Sequence, residues 1–317
     1  MEWWGIKMKK KRFVTGFAVL AFSALVLGAC GADDNGSSNS SSESSTAQSS
    51  TAKSTTESSA KVVAGGDLQD GTYKLEEKNY SNDYRVVFEI TVKDGKITES
   101  KYDNINADGE SKTKNAEYNE NMKAKAGISP EEFIPKFNEE LVAAQSPSAI
   151  EVVSGATHSF DSFQNYAQQL IQAAQAGNTD TIEIDNGADL KDGTYSLEEK
   201  NYSNGYRVAF SITVKDGKVS ESNYDYVNED GKSKKDDAEY NENMKAKSGT
   251  NPEEFIPNFN EAFVTAVNAE DGSVADMDVV SGATHSFHSF VIYAQQLLNA
   301  AEKGDETPIQ VDNIVTE

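Results

Sequence analysis

The chain has 317 residues, with 29 Lys and Arg against 52 Asp and Glu and a net charge of −23. That balance excludes a nucleic-acid binder, which needs a cation excess to meet phosphate backbones. One cysteine excludes an internal disulfide framework and any four-cysteine zinc or iron–sulfur site, and three histidines leave little for a histidine-rich centre, so no metal site is assigned.

Lys7, Lys9, Lys10, Lys11 and Arg12 precede an apolar run from Phe13 to Leu27, which is short for a transmembrane span. The run ends in Leu27-Gly28-Ala29-Cys30. Small residues ahead of a lone cysteine resemble the bacterial lipobox. The resemblance implies a lipoprotein signal peptide over 1–29, cleavage before Cys30, and diacylglycerol on its thiol. An ordinary secretory peptide with an incidental cysteine is the alternative. Cleavage would remove five basic residues and one acid, leaving 24 against 51, a net charge of −27. Such a chain is repelled by bare anionic lipid, so attachment to the membrane would rest on the lipid anchor.

Residues 30–64 are dominated by serine and threonine and hold no aromatic residue. Nothing there can build a core, and a flexible linker is expected. As a coil its mean span would be roughly 30–35 Å.

The remainder is one unit written twice. GGDLQDGTYKLEEKNY begins at Gly65 and GADLKDGTYSLEEKNY at Gly187, an offset of 122 that becomes 127 at the paired SGATHSF segments. Five extra residues therefore lie between Pro257 and Ser281, in the stretch AEDGSVAD. So long a period implies two complete domains, 65–185 and 186–317, rather than a solenoid.

Within each copy, DGTYKLEEKNY and YRVVFEITV alternate in polarity and predict strands. Asp94-Gly95 and Asp216-Gly217 carry the two-residue hairpin signal. Ala116 to Ala126 predicts a short helix ended by Gly127. Ser129-Pro130-Glu131-Glu132 starts a second, which runs to about Ala144. Phe160 to Ala176 has apolar residues at helical spacing, and Gly177 stops it. A short closing strand follows at Thr181. The fold class is α+β, with two tandem homologous domains, each a mainly antiparallel sheet with packed helices.

The SGATHSF segments follow short β-like runs and precede amphipathic helices, which places Thr157 and Thr284 at or just before a helix N-terminus. Unpaired amides there favour an anion, and Gly155 and Gly282 let backbone approach one. An ordinary threonine N-cap is the plainer alternative. Tyr118 and Met122, repeated as Tyr240 and Met244, share one helix face and suit core packing better than a ligand contact. Asp70-Gly71 and Asp192-Gly193 predict turns, and His288, which replaces Asp161, is expected at the surface.

Glu151-Val-Val-Ser-Gly-Ala-Thr157 and Asp278-Val-Val-Ser-Gly-Ala-Thr284 resemble the flavinylation motif of FMN-binding domains, and the likeness extends over each whole repeat. With the lipobox and linker, the arrangement is similar to the FMN lipoproteins of flavin-based extracellular electron transfer. The resemblance implies two covalent FMN groups in phosphodiester linkage to Thr157 and Thr284. Ser154, Gly155 and Ala156, and Ser281, Gly282 and Ala283, would shape the two sites. His158 and His285 are either phosphate or ring partners or solvated first-turn residues. An FAD-dependent flavin transferase would attach the groups. The donor would be a membrane quinol-oxidising or other redox partner, and the acceptors extracellular, such as ferric iron. The protein would sit at the extracytoplasmic face of the membrane, reach into the cell wall, and act as a carrier with no catalytic residues of its own. A non-redox surface lipoprotein, binding or signalling without flavin, is the alternative, and a flavin-dependent reductase with its own substrate pocket is a second.

Overall fold

The computed structural model describes residues 62–270 and 272–316. The expected signal peptide, Cys30 and most of the expected linker lie outside the described residues. The last three linker positions form a strand, β1 (Val62–Ala64), which opens on two β-branched valines.

The first repeat opens with β2 (Gly71–Glu77), β3 (Arg85–Lys93) and β4 (Lys96–Ile105). Alternate residues of β3 are buried, as period-two patterning requires. Asp94 and Gly95 take φ of +53° and +71° and join β3 to β4 in a two-residue turn. Asp70 staples that turn, its carboxylate accepting the Gly95 amide at 3.0 Å. The register slips between Thr91 and Val92, a bulge that the sequence does not announce.

Next come α1 (Ala116–Ala126), α2 (Pro130–Ala144), α3 (Thr157–Ala176) and β5 (Ile182–Ile184). Ser129 and Glu132 form the capping box of α2. Asn138 of α2 clips the sheet by accepting the Tyr102 amide at 2.7 Å and donating to the Tyr102 carbonyl at 3.0 Å. Gln145 does the same for both backbone groups of Ile97.

The second repeat matches it element for element: β6 (Gly193–Glu199), β7 (Arg207–Lys215), β8 (Lys218–Val227), α4 (Ala238–Ser248), α5 (Pro252–Val267), α6 (Thr284–Lys303) and β9 (Ile309–Val311). A final strand, β10 (Val315–Thr316), pairs antiparallel with β1.

The sheets run β4-β3-β2-β5 and β8-β7-β6-β9. All neighbours are antiparallel except the closing strands, which add parallel to β2 and β6. The expected α+β class and mainly antiparallel sheets are therefore observed. Helices α2 and α3 cover one face of the first sheet around a core of Phe88, Tyr102, Phe137 and Phe163; Phe210, Tyr224, Phe259 and Phe290 repeat it in the second. The five extra residues lengthen α5 by one and the loop after it by four.

The repeats meet along α3 and α6, which are joined by hydrogen bonds between side-chain amides, and Gln175 of α3 also donates to the Asp312 carbonyl at 2.8 Å. Asn165 and Gln169 donate to Asn299 at 2.9 and 3.2 Å, and Gln172 donates to Gln296 at 3.3 Å. Among the described residues no helix is long and apolar enough to cross a membrane.

Candidate functional site

The turn before α3 is built around Gly155. Its φ is +83°, and a Cβ placed there would collide with the carbonyl of Ala126 at the end of α1. Only glycine satisfies both constraints. Gly282, with φ +83°, lies against the Ser248 carbonyl in the same way. The close approach seats the SGAT turn on the C-terminal end of the preceding short helix.

Thr157 is the first helical residue and Ala156 is the N-cap. The plainer alternative, threonine as a cap, does not hold. Ala156 is buried and offers no side-chain acceptor, while Thr157 is exposed. The Ala156 amide bonds to Val153 and the Phe160 amide to Ala156. The amides of Thr157, His158 and Ser159 between them have no partner among the described residues. Helix α6 repeats this, with Ala283 as cap and the Thr284, His285 and Ser286 amides unpartnered. The other four α-helices are capped by Asn115, Ser129, Asp237 and Asn251. Two 20-residue helices thus present uncapped positive ends, each with a threonine hydroxyl beside three donors. A phosphate ester on that hydroxyl would place one negative charge within reach of these amides, so the residues present fit FMN attached there.

Ser154, Gly155 and His158 are exposed, as are Ser281, Gly282 and His285, and Ala283 is buried like Ala156. His158 opens into a cleft of about 810 Å³ that also holds Glu77, Tyr166 and, from the second repeat, Ser273 and Val274. His285 opens into a cleft of about 370 Å³ with Lys234, Tyr206, Tyr226 and Glu199, bordered by Pro147 of the first repeat. Each cleft is therefore walled by the loop that follows the second helix of the other repeat. Thr157 itself lines a smaller cavity of about 80 Å³ with Asp161, Gln164, Phe287 and His288.

Burial pushes the Glu77 carboxyl up, against the opposing pull of the Tyr166 hydroxyl, which donates to it at 2.7 Å, and the Val86 amide. Glu199, with Tyr293 at 2.8 Å and the Val208 amide, is pushed up in the same way. Burial alone raises Asp161 to about 7. Burial, and then the charge of His285, lower His288. His288 is half-buried between the repeats, not at the surface as its pattern suggested, because α3 covers that face of α6.

Met122 packs against the core, as expected for its helix face. Tyr118 is half-buried beside Tyr84 and under the ammonium of Lys112. Sequence reasoning missed Lys112 and Lys234, the Glu77–Tyr166 and Glu199–Tyr293 pairs, and the walls that each repeat lends the other. The signal for the lysines was present: Ser-Lys recurs at 111–112 and 233–234.

The fold and site define a class: a tandem α+β protein whose repeats each begin an uncapped helix with threonine. Residues 81–172 match the FMN-binding domain family. The chain is 30% identical over 116 residues to the 15 kDa lipoprotein of Treponema pallidum (strain Nichols), spanning 36% of this chain and 82% of that protein. A crystal structure of a Clostridium perfringens protein shares 35% identity over 37% of this chain and 97% of its own, with a TM-score of 0.35. A solution structure of a Clostridium thermocellum protein shares 25% over 34% and 92%, with a TM-score of 0.24. The chain belongs to the FMN-binding domain family.

Proposed function

We propose that this is a lipid-anchored, extracytoplasmic electron carrier with two covalent FMN groups, one ester-linked through its phosphate to Thr157 and one to Thr284. The observation that carries the reading is the pair of uncapped helix N-termini, each with threonine in the first helical position and three unpartnered amides. When bound, the flavin ring supplies reversible uptake of electrons.

The chain's own residues bind and position. Threonine provides the oxygen that becomes the ester. The first-turn amides and the helix dipole hold the remaining phosphate charge. Gly155 and Gly282 fix the turn against the neighbouring helix. Covalent attachment suits an exported protein, because a dissociable flavin would be lost outside the cell. An FAD-dependent flavin transferase would install the groups.

The lipobox at Cys30 and the relative's description as a lipoprotein support anchoring. Electrons would arrive from a membrane quinol-oxidising or other redox donor and leave to extracellular acceptors such as ferric iron. The net charge of −23 favours a donor or acceptor with a positive face, and association should weaken with salt.

The test is intact-mass analysis of protein matured beside the transferase. Two flavin additions are expected, one fewer in Thr157→Ala, one fewer in Thr284→Ala, and none in the double variant. No flavin-sized gain in the parent would make the chain a non-redox surface lipoprotein.

A further inference from the structure

Lys112 and Lys234 sit among tyrosine rings. The Lys112 ammonium is 5.0 Å from the ring centre of Tyr84 and 4.2 Å from that of Tyr118. The Lys234 ammonium is 5.0, 5.3 and 4.1 Å from Tyr206, Tyr226 and Tyr240. Both lysines are half-buried, and neither has a carboxylate within ion-pair distance among the described residues. In a chain with 52 acids to 29 bases, a half-buried cation left without a carboxylate is an unspent charge. Lys234 shares one cleft with His285 and Ser286, the residues that follow Thr284.

We propose that Lys234 is the cation that stabilises the reduced flavin ring of the second repeat, that Lys112, its counterpart 122 residues earlier, does the same in the first, and that the residue capping the next helix sets how strongly each acts. This rests on the electron-carrier reading. On reduction the ring takes two electrons from the upstream donor and one proton from solvent, and so gains one negative charge. A neighbouring ammonium favours that form.

The cap residue differs between repeats. Asn115 caps α1 and donates to the Tyr84 hydroxyl at 3.0 Å. Asp237 caps α4 and accepts from the Tyr206 hydroxyl at 2.8 Å. In each repeat that tyrosine ring faces the lysine, so repeat two carries one negative charge directly behind the cage and repeat one carries none. Other charged residues recur at matching positions in both repeats: Glu77 and Glu199, Arg85 and Arg207, Asp103 and Asp225, His158 and His285. Lys235, which replaces Thr113, is drawn to Asp225 at 3.6 Å, and Asp236, which replaces Lys114, is 72% exposed.

The experiment uses the full mature chain with one flavin at a time. In Thr157→Ala, which keeps the second flavin, the reduced-to-oxidised ratio is measured at a fixed potential by equilibrium titration. Lys234→Met should lower the ratio about tenfold, the effect of one partly screened charge a few ångströms away. Asp237→Asn should raise it, and asparagine caps a helix as well as aspartate, so the fold is kept. In Thr284→Ala, Lys112→Met and Asn115→Asp should each lower the ratio of the first flavin. Should a methionine variant not fold, the two cap variants decide. Ratios unmoved in flavin-bearing variants would overturn the proposal while leaving the carrier reading intact. No flavin mass in the parent would overturn both.

Discussion

Gly155 rests against the carbonyl of Ala126, so close that no side chain fits between the SGAT turn and the end of α1. The contact joins the SGAT motif to a helix about thirty residues upstream. Gly155→Ala must relieve both a collision and a positive φ. It should destabilise the chain by about 1–3 kcal/mol or more and reduce flavin loading at Thr157 while Thr284 loads normally. Peptide-resolved mass analysis with urea unfolding checks both. Equal loss at the two threonines would contradict the local reading.

Burial holds the Asp161 carboxyl at about 7, above its ordinary 3.8. The folded state therefore binds a proton that the unfolded chain releases. The associated stability is complete below about pH 4 and is lost as pH rises through about 7. Asp161→Asn should be more stable than the parent at pH 8 and nearly equal to it at pH 4. Thermal midpoints across that range decide the matter, and a gain confined to acid would reverse the sign.

Phe163 is fully buried and lies 5.4, 5.3 and 5.0 Å from the ring centres of Phe88, Tyr102 and Phe137. Phe163→Ala should cost about 3–5 kcal/mol by leaving a cavity among rings that cannot collapse into it. Denaturant midpoints measure this.

Val315 is buried where β10 pairs with β1. This pairing ties the entry to the first repeat to the exit from the second. Deleting residues 314–317 should speed amide exchange at Val63 and Ala64 while leaving the amides of β7 protected. Unchanged exchange at Val63 and Ala64 would show that the pairing holds nothing in place.

Much of the fold was legible because its signals are local. Asp94-Gly95 marks a hairpin by its tolerance of positive φ, and Ser129-Pro130-Glu131-Glu132 marks a helix start by capping chemistry. The bulge at Thr91 was hidden: beside it Ile97 gives both of its backbone groups to Gln145, a partner far along the chain. The helix beginning was legible only to within three residues. The apolar pattern starts at Phe160, whereas hydrogen bonding, which begins at Ala156, makes Thr157 helical.

The sequence by itself determined the duplication, the α+β class and the two threonines, because an offset of 122 and the SGAT spacing are properties of chain order. Tertiary structure decided that Ala156, not Thr157, caps the helix and so leaves three amides bare. It decided that Lys112 stands over Tyr84 and Tyr118 with no carboxylate at ion-pair distance among the described residues, and that each repeat walls the other's cleft. The physical reason is one of range. Turns and caps are set within a few residues, whereas burial and unspent charge depend on which distant groups packing brings together.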